Sequence, residues 1–123
     1  MPFAPYGAGM DDDMVALIDR FNAAWNDHDL EAALALVTDD CVFESTGPAP
    51  DGERHVGRDA LAAAWKPIFD DTRARFEVED LFTVGDRVVQ RWRYEWADGH
   101  VRGVDVIVVR DGRVAEKLSY VKG

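Results

Sequence analysis

A single cysteine, Cys41, among 123 residues excludes an internal disulfide, and the first residues show no basic stretch followed by an apolar one of the secretory kind. A cytoplasmic protein is the expectation. No apolar run approaches the roughly 18 to 20 residues that span a bilayer. The 47% hydrophobic content therefore belongs to a core, a cavity or a partner. Positive charge is scarce as well: fourteen Lys and Arg stand against twenty-four Asp and Glu, a net −10. Such a chain repels phosphate backbones and anionic membranes, which argues against nucleic acid or a membrane as a partner. There is no HExxH, no CxxC and no glycine-rich phosphate loop, so nothing points to zinc, nucleotide or flavin, and no metal or cofactor is expected. Of the three histidines, His28 and His100 fall at a corner and a turn, and only His55 is placed to reach a pocket mouth from its loop. Ser45 and Ser119 have no histidine partner, which leaves nucleophilic catalysis without support.

What is present fits one domain of this length with a real core. Residues 1–10, rich in Pro and Gly and without periodicity, read as a flexible arm, and 11–123 as a single folded unit. Asp11, Asp12 and Asp13 precede Val15, Ile18, Phe21, Ala24 and Trp25, the spacing of one helical face. The acidic run is more simply an N-cap than a metal site. Asp29 can cap a second short helix through Leu30, Leu34 and Val37. Residues 41–45 read as a short strand and 46–57 as a long loop. A third helix begins near Arg58 and carries Leu61, Ala64, Trp65, Ile68 and Phe69, with Pro67 inside it. From Arg75 the period becomes two, and Gly85-Asp86, Asp98-Gly99 and Asp111-Gly112 divide the remainder into four strands. The order ααβαββββ is an α+β fold: three helices over a curved antiparallel sheet.

Hairpin turns fix register. If the two Asp-Gly turns are two-residue loops, Ala97 pairs with His100 and Arg110 with Arg113. Trp92 then stands opposite Asp105, and Asp105 opposite Leu118. One face collects Val88, Gln90, Trp92, Tyr94 and Trp96 with Asp105 and Ile107, and also Val114, Glu116, Leu118 and Tyr120. The other collects Arg91, Arg93, Arg102, Arg110, Arg113 and Lys117 around Val89, Val104, Val106, Val108 and Ala115. That valine stripe either packs two copies back to back as a homodimer or merely satisfies strand propensity. The helices cover the aromatic face with Phe21, Trp25, Trp65 and Phe69, and Phe43 and Ser45 join from the first strand. A cone lined by such rings makes a pocket for a small hydrophobic ligand, although any single ring can equally be core.

Asp105 is the residue best placed for chemistry. A carboxylate among Trp92, Ile107 and Leu118 is costly unless neutral, hydrogen-bonded or paired. It can act as acid or base toward a ligand, or it can simply accept from an indole N–H. If Val84 pairs with Val88, Asp80 lies opposite Trp92 on the cavity side and can join it, as can Glu116.

Several stretches carry a family resemblance: residues 18–30 (Ile18-Asp19-Arg20-Phe21 to Asp29-Leu30), Val42-Phe43-Glu44, Gly57-Arg58-Asp59-Ala60, Gly85-Asp86-Arg87-Val88, and residues 103–114 from Gly103-Val104-Asp105 onward. Over residues 14–121 the chain resembles the nuclear transport factor two-like superfamily, especially its SnoaL-like polyketide cyclase and ketosteroid isomerase branches. The resemblance implies a cone-shaped α+β barrel, usually homodimeric, and puts Asp105 where the isomerases hold a neutral, proton-donating Asp. Phe21 stands in place of their oxyanion-hole tyrosine, Ser45 in place of their general base, and Trp65 in place of a supporting tyrosine. Ketosteroid isomerisation as that branch performs it is therefore not expected. A cofactor-independent isomerase or cyclase acting on a small apolar carbonyl or polycyclic compound, with Asp105 as acid/base, is the leading reading. A non-catalytic carrier or accessory domain is the alternative.

Overall fold

The computed structural model describes residues 11–123, so the N-terminal arm read from residues 1–10 lies outside the described residues. Helices α1 (Asp12–Asn26) and α2 (Leu30–Ala35) come first, then strands β1 (Val37–Glu44) and β2 (Arg54–Val56) and helix α3 (Arg58–Asp70). Strands β3 (Arg75–Val84), β4 (Arg87–Trp96), β5 (Gly99–Arg110) and β6 (Arg113–Val121) complete the chain. The six strands form one curved, unclosed sheet in the order β2-β1-β6-β5-β4-β3. The mixed α+β architecture agrees with the sequence reading, with two additions. Part of the expected 46–57 loop is the edge strand β2, antiparallel to β1, and β1 joins β6 in parallel. Among the described residues no helix is long and apolar enough to cross a membrane.

The helix starts follow from short polar side chains that satisfy orphan backbone donors. The Asp11 carboxylate accepts from the N–H groups of Asp13 and Met14, so the acidic run is an N-cap, and Asp29 caps α2 by accepting from Ala32. The apolar face of α1 then buries Leu17, Ile18, Phe21 and Trp25, and that of α3 buries Leu61, Trp65 and Phe69. They meet Val88, Ile107 and Val114 of the sheet, all without exposure, in one continuous core.

Register is where structure and sequence part. The Asp111-Gly112 turn, both residues at positive φ, pairs Arg110 with Arg113 as expected. One step later a bulge intervenes: Val109 pairs with Val114 but Val108 with Glu116. A one-residue slip turns every following side chain to the other face. Lys117 and Ser119, expected outside or unassigned, are therefore buried, while Tyr120 is half exposed and Glu116 and Leu118 are only partly buried. Ala115, expected in the outer stripe, is buried as well.

Between β4 and β5 the turn is Ala97-Asp98, with Trp96 paired to Gly99, so the strands slide by two residues and every side chain keeps its face. Asp105 lies opposite Gln90 rather than Trp92, and opposite Ser119 rather than Leu118. Trp92 lies opposite Gly103, where a Cβ would stand 2.4 Å from the indole ring. The Gly85-Asp86 turn pairs Val84 with Arg87, not Val88, and a second bulge follows between Val78 and Asp80. Asp80 accordingly pairs with Arg91 on the outer face, its carboxylate 3.6 Å from that guanidinium and 43% exposed, and it does not reach the cavity.

Candidate functional site

Between the helices and the concave sheet face lies a cavity of about 450 Å³. Alternation along β4 sends Trp92, Tyr94 and Trp96 to it, α1 and α3 supply Trp25 and Ile68, and β1 supplies Phe43 and Ser45. Phe76 of β3 sets its ring edge-on to both Trp25 and Trp92, at 5.4 and 5.5 Å between centroids, which stiffens that wall. At its base stand Lys117 and Ser119 of β6.

Of the lining expected from sequence, Trp25, Phe43, Ser45, Trp92 and Tyr94 border this cavity. Trp65, Phe69 and Ile107 are core behind it; Trp65, for example, packs edge-on against Phe21 and Trp25. Phe21 and Gln90 border a separate crevice of about 10 Å³, together with Asp105, Asn22 and Lys117. Glu116, Leu118 and Tyr120 leave the list through the β6 bulge, and Asp80 through the β3 register. His55 lies alongside Phe43, with ring centroids 5.8 Å apart.

Asp105 sits one layer below the ligand space. It is 2% exposed, and the crevice it borders has room for one water at most. Its Oδ1 accepts from the Ser119 hydroxyl at 2.7 Å and its Oδ2 from Gln90 Nε2 at 3.0 Å. Lys117 Nζ lies 3.5 Å from Oδ1 and donates to Ser119 Oγ at 2.9 Å. Gln90 is in turn clasped by Asn22, each amide donating to the other. The indole N–H groups of Trp25 and Trp92 find no acceptor among the described residues. The expected choice for a structural Asp105, accepting from an indole, is thus replaced by a chain running Lys117, Ser119, Asp105, Gln90, Asn22.

Among the described residues every polar contact of the Asp105 carboxylate is with a donor group, so its place in the chain is that of an acceptor. Its cation, Lys117, is 6% exposed, with Nζ 4.9 Å from the Trp25 ring centroid and 5.1 Å from that of Phe43. Those aromatic faces stabilise the ammonium where water cannot. Chemically, the cavity floor can offer an ammonium N–H to a ligand oxygen, while the Ser119 hydroxyl, whose one proton is donated to Asp105, offers a lone pair. Tyr94, on the wall, has its hydroxyl pushed above the usual range by burial and then by the nearby Asp71 charge, so it is a neutral hydrogen-bonding group. Ser45 donates to the Gly47 carbonyl at 2.7 Å and accepts from Glu53 N–H, which ties it into the loop at the rim.

Unbroken alternation on β6 does not bring Lys117 and Ser119 to the cavity; the bulge does. The signal was the adjacent apolar pair Val114-Ala115: both are buried, as strict alternation forbids and a bulge permits.

Comparison with known proteins agrees with the fold. Residues 18–117 match the family model of the SnoaL-like domain. An NTF2-like protein of unknown function from Mesorhizobium loti is 44% identical, with 91% of this chain and 93% of that one covered and a TM-score of 0.82. A candidate ketosteroid isomerase from Kribbella flavida DSM 17836 is 19% identical, covers 91% of this chain and 79% of its own, and gives a TM-score of 0.78. A candidate polyketide cyclase from Sinorhizobium meliloti is 20% identical, with 85% and 93% covered and a TM-score of 0.73. No curated protein matches the chain.

Proposed function

We propose, starting from the fact that this chain belongs to the SnoaL-like domain family of NTF2-like proteins, that its cavity takes a small apolar carbonyl or polycyclic compound and catalyses proton transfer on it without a cofactor. The observation that carries this reading is the polar floor of a mostly apolar, ring-lined cavity: Lys117 Nζ and Ser119 Oγ, with Asp105 hydrogen-bonded behind them. A carbonyl oxygen on that floor accepts from the ammonium, which stabilises the negative charge that develops as an adjacent C–H ionises. Asp105 serves as acid/base through Ser119. The hydroxyl takes the ligand proton as it passes its own along the 2.7 Å bond to Asp105; return of that proton to another carbon completes an isomerisation, and where the enolate carbon first attacks a second carbonyl of the ligand, its return to the resulting alkoxide completes a ring closure. The isomerase and cyclase names carried by two of the fold relatives agree with such chemistry.

The test is a melting-temperature screen of ketones, lactones and polyketides, since a ligand that binds only the folded state raises its stability. The ketones that bind are then followed by NMR for exchange of their α-protons in D2O. Exchange that is fast with the native chain and lost in Asp105→Asn, with folding and affinity kept, supports catalysis. No stabilising compound in the screen sinks the proposal. One observation favours a second reading, a carrier: no carboxylate or imidazole is among the described residues lining the cavity. Binding without exchange would select it.

The outer sheet face supports a homodimer as a further part of the proposal. Val89, Val104, Val106 and Val108 are half-buried there, between rims where Arg102 pairs with Glu79 and Arg91 with Asp80. Light scattering at the mass of one chain would exclude it. The cytoplasm is the proposed compartment, in keeping with a lone unpaired thiol.

A further inference from the structure

We infer that Asp105 sets the charge selectivity of the cavity: by cancelling the charge of Lys117, it makes the site accept a neutral carbonyl compound and refuse the carboxylate of the same shape. This rests on the reading of the cavity as a ligand site given above.

Lys117 is the one charged residue among the described residues that line the cavity. A lone ammonium on apolar walls would be a carboxylate receptor. Here the cation is already matched: the two side chains are 8% and 3% exposed, 3.5 Å apart, and sum to zero charge. Of the three N–H donors on Nζ, one is committed to Ser119 Oγ, and the Trp25 and Phe43 rings offer the others no lone pair. A ligand carbonyl can take a free N–H and bring no charge with it. A ligand carboxylate on the same atom would place a second anion beside Asp105 with one cation between them, in apolar walls that leave little room for screening water once the ligand fills the cavity. Tyr94 brings no positive charge to relieve this; its neutral hydroxyl can donate to a carbonyl or a carboxylate alike. The chain's net −10 adds a long-range field of the same sign.

The probes are 2-acetylnaphthalene and 2-naphthoate, nearly the same shape and differing in charge, titrated at neutral pH against the native chain and Asp105→Asn by calorimetry or tryptophan quenching. The native chain is expected to bind the ketone at least about tenfold more tightly than the carboxylate, a difference of about 1.4 kcal/mol. In Asp105→Asn the ammonium is left unmatched, and the preference shifts toward 2-naphthoate by about tenfold or more. Equal or tighter binding of 2-naphthoate by the native chain overturns the inference and leaves the cavity a ligand site. So does a preference that Asp105→Asn leaves unmoved. If neither compound binds the native chain, the ligand-site reading fails and the inference with it. Should Asp105→Asn not fold, the native chain's preference decides alone.

Discussion

Lys117→Met tests the buried ion pair on which the site is built. Methionine keeps the length and most of the apolar stem, so packing against Trp25 and Phe43 is largely retained, while the charge is removed. Asp105 then keeps Ser119 and Gln90 as donors but has no cation. At 3.5 Å, with an effective dielectric constant near 20, the lost attraction is about 5 kcal/mol, and breaking a buried pair typically costs 3–5 kcal/mol, so we take roughly 3–5. With an unfolding entropy of about 2.1 cal/mol/K per residue over 123 residues, that lowers the melting temperature by about 12–20 °C. Differential scanning calorimetry measures it directly. The control is Lys117→Met combined with Asp105→Asn, which removes both charges. The neighbouring Gln90 and Asn22 amides can flip together to suit the new carboxamide, so the double variant should regain about half of the loss or more. A single variant within about 3 °C of the native chain, or a double variant as unstable as the sum of the singles, would refute the coupling of the two charges.

Three further outcomes follow from particular contacts. Gly103→Ala would bring a Cβ to 2.3 Å from the Tyr120 carbonyl oxygen and 2.4 Å from the Trp92 ring; the strand must shift, and a loss of roughly 1–3 kcal/mol is expected in urea denaturation. Asp80→Asn touches an exposed outer-face pair, so ligand affinity by calorimetry should match the native chain; a change of about tenfold would return that carboxylate to the site. Burial pushes the Cys41 thiol from 9.0 to about 12, so native protein should resist iodoacetamide at pH 8 and become labelled only on unfolding. Because the fold favours the protonated thiol, that contribution to stability is complete below pH 9 and is lost as pH rises toward 12; melting curves across that window should fall accordingly.

Much of this fold is legible in local chemistry. The caps at Asp11 and Asp29 act within three residues of themselves, and the 3.6-residue spacing of Phe21 and Trp25 or of Trp65 and Phe69 needs no distant information. The Asp111-Gly112 turn is equally local, since both residues tolerate the positive φ that a tight hairpin demands. The Asp98-Gly99 pair misleads for a tertiary reason. Gly99 is kept small by the Trp96 ring, which would stand 2.8 Å from a Cβ there, so the glycine lies in the strand and the turn moves to Ala97-Asp98. That two-residue slide preserves the faces, so alternation alone still puts Gln90 and Asp105 on one face.

The bulges are another matter, because nothing within a strand's own alternation announces an extra residue. At β6 the bulge decides the chemistry. Without it, Glu116 would face the cavity and Lys117 the solvent, and Asp105 would stand over Leu118 with no cation, a buried charge that the fold could keep only by protonating it. With it, Lys117 and Ser119 turn inward and supply one cation and one hydroxyl to the acid that alternation alone leaves stranded. The cost of an unpaired carboxylate is therefore itself an argument for the bulge: where register strands a charge beside an adjacent pair of small apolar residues, shifting the strand by one restores both burial and charge balance. The same reasoning explains Asp80. It already has Arg91 beside it at the surface, and no comparable penalty draws it inward.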